Sequence, residues 1–272
     1  QVARLEERLG TKLFHRSTRS VHLTQPGEGL RKSTERIADD LEAALCDASS
    51  SQRNLEGSLR IASLSGSFGD QVVGPAMNEM AQLYPNVDIT IDFNPRQVDI
   101  LSEGYDFAIR AGQLQSSGLI ARPLANRTRV AFASQSYLEN HGAPQHPSDL
   151  KHHQCILAQS RSWRFQENDG PMDVAVSGRL TLNSGPAILD ACTRGLGIAY
   201  MAVGGFDTAL INGSLSPILQ PYWHTDQAIH VVRPDRRFTP RRVEVAIELL
   251  TTFARQAETR DARAIMAFHN EN

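Results

Sequence analysis

Between Leu30 and Gln52 the chain has neither glycine nor proline, and Leu30, Thr34, Ile37, Leu41, Ala44 and Ala48 follow one another at steps of four and three, with Leu45 beside them. That alternation winds an apolar seam along one face of a long helix, the pattern of a coiled coil. A lone helix cannot bury such a seam on itself, so it packs on its own domain or on a second copy of the chain. The stretch also partitions the molecule. A short piece ends at Pro26, a linker occupies 27–56 with Ser49-Ser-Ser-Gln-Arg-Asn54 as a polar hinge, and a long body starts at Gly57.

The front piece is basic. Arg4, Arg8, Lys12, Arg16 and Arg19 stand against Glu6 and Glu7, giving +3 in a chain of net charge −2, so everything behind it carries −5. A small basic module on a mildly acidic body suits a phosphate contact attached to a separate function, although short basic stretches are also ordinary solvated surface. Val2, Leu5, Leu9 and Leu13 recur at helical steps, which predicts an amphipathic helix stopped by Gly10, its stripe turned toward a core. Val21 and Leu23 alternate beyond a hydroxyl- and arginine-rich tip, which suggests a two-stranded hairpin. Helix and basic hairpin together make a winged helix, in which the helix enters the major groove and Arg16, Ser17, Thr18 and Arg19 meet phosphates or the minor groove. The same features fit a helix and hairpin with a solvated basic face.

The run from Arg4 to Thr24, RLEERLGTKLFHRSTRSVHLT, closing in Pro26-Gly27, closely resembles the end of the DNA-binding domain of LysR-type transcriptional regulators. The resemblance implies that earlier helices precede Gln1, that Gln1 and Arg4 are groove-facing positions of the recognition helix, and that the linker seam joins two copies as a dimer or tetramer. Pro26 stands where the family usually has alanine. Proline is tolerated in the first turn of a helix, so Thr24 is expected to cap the linker helix with Pro26 just inside it.

From Leu59 onward apolar strands alternate with helical segments, which argues for α/β layers on a mostly parallel sheet. Strands are expected at 58–63, 87–93, 106–110 and 128–133, with helices at 68–84 and 98–103. A second set follows near 155–158, 163–182, 187–194 and 198–201. A strand at 228–232 and a helix from Thr239-Pro240 to about Gln256 close the body. The chain thus leaves one lobe near Ala133 and returns near Ala228. The expected organisation is a DNA-binding remnant at 1–26, the linker at 27–56, an effector-binding domain at 57–258 and an extension at 259–272. In that domain, lobe I covers 57–133 and 229–258 and lobe II covers 134–228. Gly57-Ser-Leu-Arg-Ile61, Tyr84-Pro85, Gly104-Tyr-Asp-Phe-Ala-Ile-Arg110, Ser136-Tyr-Leu138 and Gly195-Leu-Gly-Ile198 resemble, in this order, the effector-binding domain of the same family, whose two-lobed fold is that of type 2 periplasmic binding proteins.

Two crossings between lobes imply a hinged cleft, the usual place for a small ligand. Ser63, Ser65, Gly66 and Ser67 end the first strand where a helix begins, and Ser184, Gly185 and Pro186 stand in the same relation to the helix of lobe II. Free amides at such ends attract anions, so the expected effector is a small organic anion such as a carboxylate, with Asn94, Arg96 or Arg110 as further contacts. Plain helix caps explain the serines equally well.

Other chemistries find little footing. Gly195-Leu-Gly197 follows a helix, the reverse of a dinucleotide loop. His152, His153 and Cys155 lack a second cluster at metal-site spacing, and Ser65-Gly-Ser-Phe-Gly69 lacks the glycine that opens a nucleophile elbow. Cys46, Cys155 and Cys192 suit reduced packing thiols rather than a disulfide frame, and Trp163 and Trp223 suit packing positions. No apolar run approaches the roughly 18–20 residues of a membrane span, and no signal-peptide stretch opens the chain. The expectation is therefore a cytoplasmic regulator, not an enzyme, without cofactor or metal. Its partners are double-stranded DNA, a small-molecule effector, itself and RNA polymerase. The alternative is a two-lobed solute-binding protein or enzyme with an N-terminal oligomerisation arm.

Overall fold

The computed structural model describes residues 2–16, 21–31, 33–34, 37–38, 41, 55–94, 98–112, 118–158, 160–204, 213–235 and 239–270. Helix α1 (Val2–Leu9) is followed by strands β1 (Phe14–Arg16) and β2 (Val21–Leu23), paired antiparallel with Phe14 opposite Leu23 and Arg16 opposite Val21. The expected hairpin is thus present, and its tip at 17–20 lies outside the described residues. The helix that starts at residue 25 is capped as expected. The Thr24 hydroxyl accepts the amide of Gly27 at 3.1 Å and donates to the carbonyl of Lys12 at 2.6 Å. Gly27 is required here, because a Cβ would stand 2.1 Å from the carbonyl oxygen of Leu13.

The body is built on a seven-stranded sheet. Its strands are β3 (Gly57–Ser63), β4 (Val87–Phe93), β5 (Phe107–Ala111), β6 (Leu119–Ala133), β11 (Ala199–Ala202), β12 (Ser216–Ile218) and β13 (His224–Pro234). The order is β11-β6-β13-β5-β3-β4, with β12 also on β6. Strands β3, β4 and β5 run parallel, whereas β13 pairs antiparallel with β5 and β6, and β11 and β12 antiparallel with β6, so the sheet is mixed and not mostly parallel as expected. Short pairs β7 (Ile156–Leu157) with β10 (Leu180–Thr181) and β8 (Ser162–Glu167) with β9 (Gly170–Ala175) complete lobe II.

Strand alternation separates the cores, because successive side chains point to opposite faces. In lobe I, Leu59, Ile61, Phe107 and Ile109 face α2 (Gly74–Leu83) and α6 (Arg241–Asn270), while Ala62 and Ala108 face α3 (Ile100–Glu103). In lobe II, Val130 and Phe132 face α5 (Gly185–Thr193), and Ala131 and Ala133 face Tyr137 of α4 (Gln135–His141) and the β8–β9 hairpin. Each fully buried large apolar side chain contributes about 1.5–3 kcal/mol.

β6 is a single 15-residue strand that passes from one core to the other. Leu124 and Ala125 belong to lobe I and Val130 to lobe II, so the crossing lies at residues 126–129, ahead of the expected Ala133. Its first half escaped the sequence reading because Pro123 interrupts it. Proline in a sheet is confined to edges and bulges, and Pro123 sits at the register shift between Ile229 and His230 of β13. A second shift, between Thr225 and Gln227, falls at the returning crossing. Bulges bend and re-aim strands, which fits two strands that must change lobe.

Helix α6 differs more. It was expected to end near Gln256 and runs without interruption to Asn270. The stripe of α1 differs too: Val2, Leu5 and Leu9 are exposed 38, 40 and 49 %, and Glu6 is the buried position.

Candidate functional site

Glu6 is what organises the basic end. Its carboxylate accepts the amides of Leu13 at 2.9 Å and Phe14 at 3.2 Å and pairs with Lys12 at 3.2 Å. These bonds, the Leu13 amide foremost, hold its carboxyl below the ordinary carboxylate range. The helix is thereby hooked to the start of the wing, with Arg4 and Arg8 left on the exposed face. Nothing local in the sequence marks an acid in a basic module as structural. Gln1, Ser17, Thr18 and Arg19 lie outside the described residues, and Arg16 ends β1. Of the linker positions, Leu30 is half-buried and Ile37 and Leu41 are exposed 66 and 60 %, while Ala44, Leu45, Ala48 and Cys46 lie outside the described residues.

Beside the crossing strands, a cavity of about 450 Å³ lies between lobes. Its walls are Ala111 and Gly112 at the end of β5, Arg129 on β6, and Ser160, Ser162, Arg164 and Asp173 from lobe II. Arg164 and Asp173 are opposed across the β8–β9 hairpin and paired through both carboxylate oxygens at 2.8 Å each. That pairing, with Arg164 as donor, lowers the pKa of Asp173. Arg129 lies 5.9 Å over the ring of Tyr200 and, among the described residues, has no ion pair. Trp163 is buried behind it, stacked on Tyr200 at 5.3 Å, and Trp223 donates to the carbonyl of Ile218 at 2.9 Å, so both tryptophans pack as expected.

The expected effector contacts occupy neighbouring strand ends, outside the walls of this cavity. Ser63 is buried and donates to the carbonyl of Leu64 at 3.0 Å, and its own carbonyl accepts the amide of Asn94 at 3.0 Å. Ser65 is exposed, Gly66 takes a φ of +87° and Ser67 begins the helical run. That run opens with a π turn, Gly69–Val73, a feature frequent at functional sites. Gly69 is obligatory there, because a Cβ would stand 2.8 Å from the carbonyl oxygen of Leu64. The guanidinium of Arg110 donates to the carbonyl of Val98, and Arg96 lies outside the described residues. Ser184 is the exposed N-cap of α5 and makes no side-chain cap bond, and Gly185 and Pro186 form its first turn. Sequence reasoning did not find Arg129, Arg164, Ser160 or Ser162, whose convergence depends on how the two lobes fold around the hinge.

Gly195 and Gly197, with φ of +74° and +156°, close α5 as a C-cap, and the amide of Leu196 donates to the carbonyl of Ala191 at 3.1 Å. His153 is buried with Nδ1 3.2 Å from the Tyr137 hydroxyl. Cys155 and Cys192 are buried, and desolvation pushes both thiols up to about 12. Among the described residues no helix is long and apolar enough to cross a membrane.

A hooked helix and wing, followed by two α/β lobes around a hinged cavity, define a ligand-responsive DNA-binding protein. The chain belongs to the LysR family of bacterial transcriptional regulators: residues 52–255 match the LysR substrate binding domain, and residues 1–28 match the bacterial regulatory helix-turn-helix protein of the lysR family. It is 33 % identical over 258 residues to the HTH-type transcriptional regulator DmlR of Escherichia coli strain K12, covering 93 % of this chain and 83 % of that protein. Among solved structures it is similar to CrgA, a LysR-type transcriptional regulator from Neisseria meningitidis, with a TM-score of 0.65 and 26 % identity over 92 % of this chain and 86 % of that one. The full-length Vibrio cholerae virulence activator AphB shares the fold, with a TM-score of 0.65 and 24 % identity over the same shares. Because both the front piece and the body match, the reading as a solute-binding protein or enzyme with an N-terminal arm is not favoured.

Proposed function

We propose that this regulator senses a small organic anion, a carboxylate, in the cavity between its lobes. The observation that carries the reading is Arg129, a half-buried guanidinium facing a cavity of about 450 Å³ with no ion pair among the described residues, beside an Arg164 already matched by Asp173. The volume is within the roughly 300–1,000 Å³ of small-molecule sites, and one unmatched positive charge favours an anion there. Ser184 at the start of α5, which makes no side-chain cap bond, and Ser65, Gly66 and Ser67 on the opposite lobe lie outside the walls of this cavity and are candidate contacts only for the closed lobes. Ligand favours one closure of the lobes, and closure changes how two copies joined through the linker seam present their DNA-binding ends on operator DNA. RNA polymerase is the further partner such a regulator works with, in the cytoplasm.

Thermal denaturation of the full chain tests the reading against a panel of small carboxylates and their isosteric amides. A carboxylate at about 100 times its Kd adds roughly 2.7 kcal/mol, and its amide adds nothing. Arg129→Gln removes the gain. Stabilisation by the amides alone, or undiminished in Arg129→Gln, would refute the anion site and leave the family membership intact.

A further inference from the structure

The family match ends at residue 255, yet α6 continues to Asn270. Ala257 is buried in the core of lobe I, whereas Ala264 is buried in the core of lobe II with Ile265 packed beside it. Seven residues apart, Ala257 and Ala264 share one helix face about 10 Å apart along the axis, so a single rigid element is seated in both lobes. Between them Asp261, 6 % exposed, pairs with Nε of Arg127 at 2.8 Å. Arg127 is 1 % exposed and lies on β6 at the crossing between the cores.

The neighbours of this pair come from every part of the hinge. The Arg127 guanidinium lies 5.7 Å over the ring of Phe68, at the start of the helical run of lobe I. A Cβ on Gly204, just beyond β11 of lobe II, would stand 2.0 Å from its Nη2. The carboxylate of Glu258 accepts the amide of Asn126 at 2.8 Å, and Arg260 donates to the side chain of Gln71.

We infer that residues 257–270 are a strap across the hinge, clasped by Arg127 and Asp261, that sets the angle between the lobes. Two crossing strands alone leave a hinge free to bend and twist. A helix packed into both cores adds a third connection, and the lobes change their angle only when the strap slides or the clasp parts. Arg127 and Asp261 are positioning residues in this scheme.

The test is the interlobe distance, read by electron spin resonance between labels at Glu79→Cys of α2 and Glu139→Cys of α4, both exposed. It is measured without ligand, in full chains with native cysteines replaced, diluted with unlabelled copies. Two variants are compared: a chain stopped after Gln256, where the family domain already ends, and Ala264→Glu, which disturbs only the lobe II seat. Ala264→Glu is expected to keep the native circular dichroism, the shortened chain is expected to lose only the helical signal of residues 257–270, and both are expected to give a wider, displaced distance distribution. Asp261→Asn is expected to widen it less. A distribution unchanged in the shortened chain and in Ala264→Glu would overturn the strap. So would loss of fold in both variants, because the tail would then be part of the core and not a clasp on a hinge.

Discussion

The carboxylate of Glu6 sits 2.9 Å from the amide of Leu13, across the turn that separates the helix from its wing. An acid inside a cluster of bases therefore serves as the bracket that fixes where the basic hairpin starts.

Because these bonds lower the carboxyl pKa from an ordinary 4.5, the bracket adds stability above the unfolded value, and that stability is lost as pH falls through the depressed folded value. The amide proton resonances of Leu13 and Phe14 should titrate together at a pH below 4.5 in an NMR experiment. In Glu6→Gln they should lose that transition and the helix end should melt earlier. Titration at the ordinary value would show that the bracket does not form.

Gly178 has no room for a side chain: a Cβ would stand 1.7 Å from the carbonyl oxygen of Cys155, which is backbone and cannot swing away. Gly178→Ala should destabilise the protein by about 3 kcal/mol or more, a fall in Tm on the order of 6–12 °C. Gly118→Ala, with nothing within 4 Å of the added carbon, should stay within about 0.5 kcal/mol. Equal melting of the two variants would contradict the close approach.

Cys155 and Cys192 should resist modification. With thiols pushed from 9.0 up to about 12, neither carries thiolate at neutral pH, and the thiolate is the nucleophile. In a Cys46→Ser variant, a disulfide reagent at pH 8 should release no chromophore until denaturant is added, and then two equivalents. The raised values also mean that the stability tied to these thiols is complete below pH 9 and is lost as pH rises through about 12. Fast native labelling of either would refute their burial.

Asp173 is the acid inside an otherwise basic cavity. The Arg164–Asp173 pair is about half exposed on both sides, so its loss should change stability by less than about 1 kcal/mol. Asp173→Asn removes the negative charge facing an anion and frees the Arg164 fork, so carboxylate affinity by calorimetry should rise. A weaker carboxylate would mean that Asp173 holds the cavity in shape.

Much of the fold was legible because its signals are local. Thr24 before Pro26 and Gly27 announces a helix start, and the alternation of Leu59 and Ile61 about Arg60 announces a strand. The end of α6 was hidden for the opposite reason. Its buried stripe runs through Ala257, Asp261 and Ala264, and an aspartate in the middle of a stripe reads as a solvated position. Its partner Arg127 comes from a strand half the chain away. Arg127 and Arg129 stand two residues apart on β6, and no local pattern distinguishes the arginine clasped to α6 from the one that faces the cavity.

Sequence alone was sufficient to determine the α/β class of the body, the hairpin, the Thr24 cap and the family, because periodicity, turn chemistry and motif spacing act over a few residues. The tertiary structure alone decided which charges are paired. A charge's environment is set by whatever the fold brings within a few ångströms, and here that depends on two strands crossing a hinge and one helix spanning it.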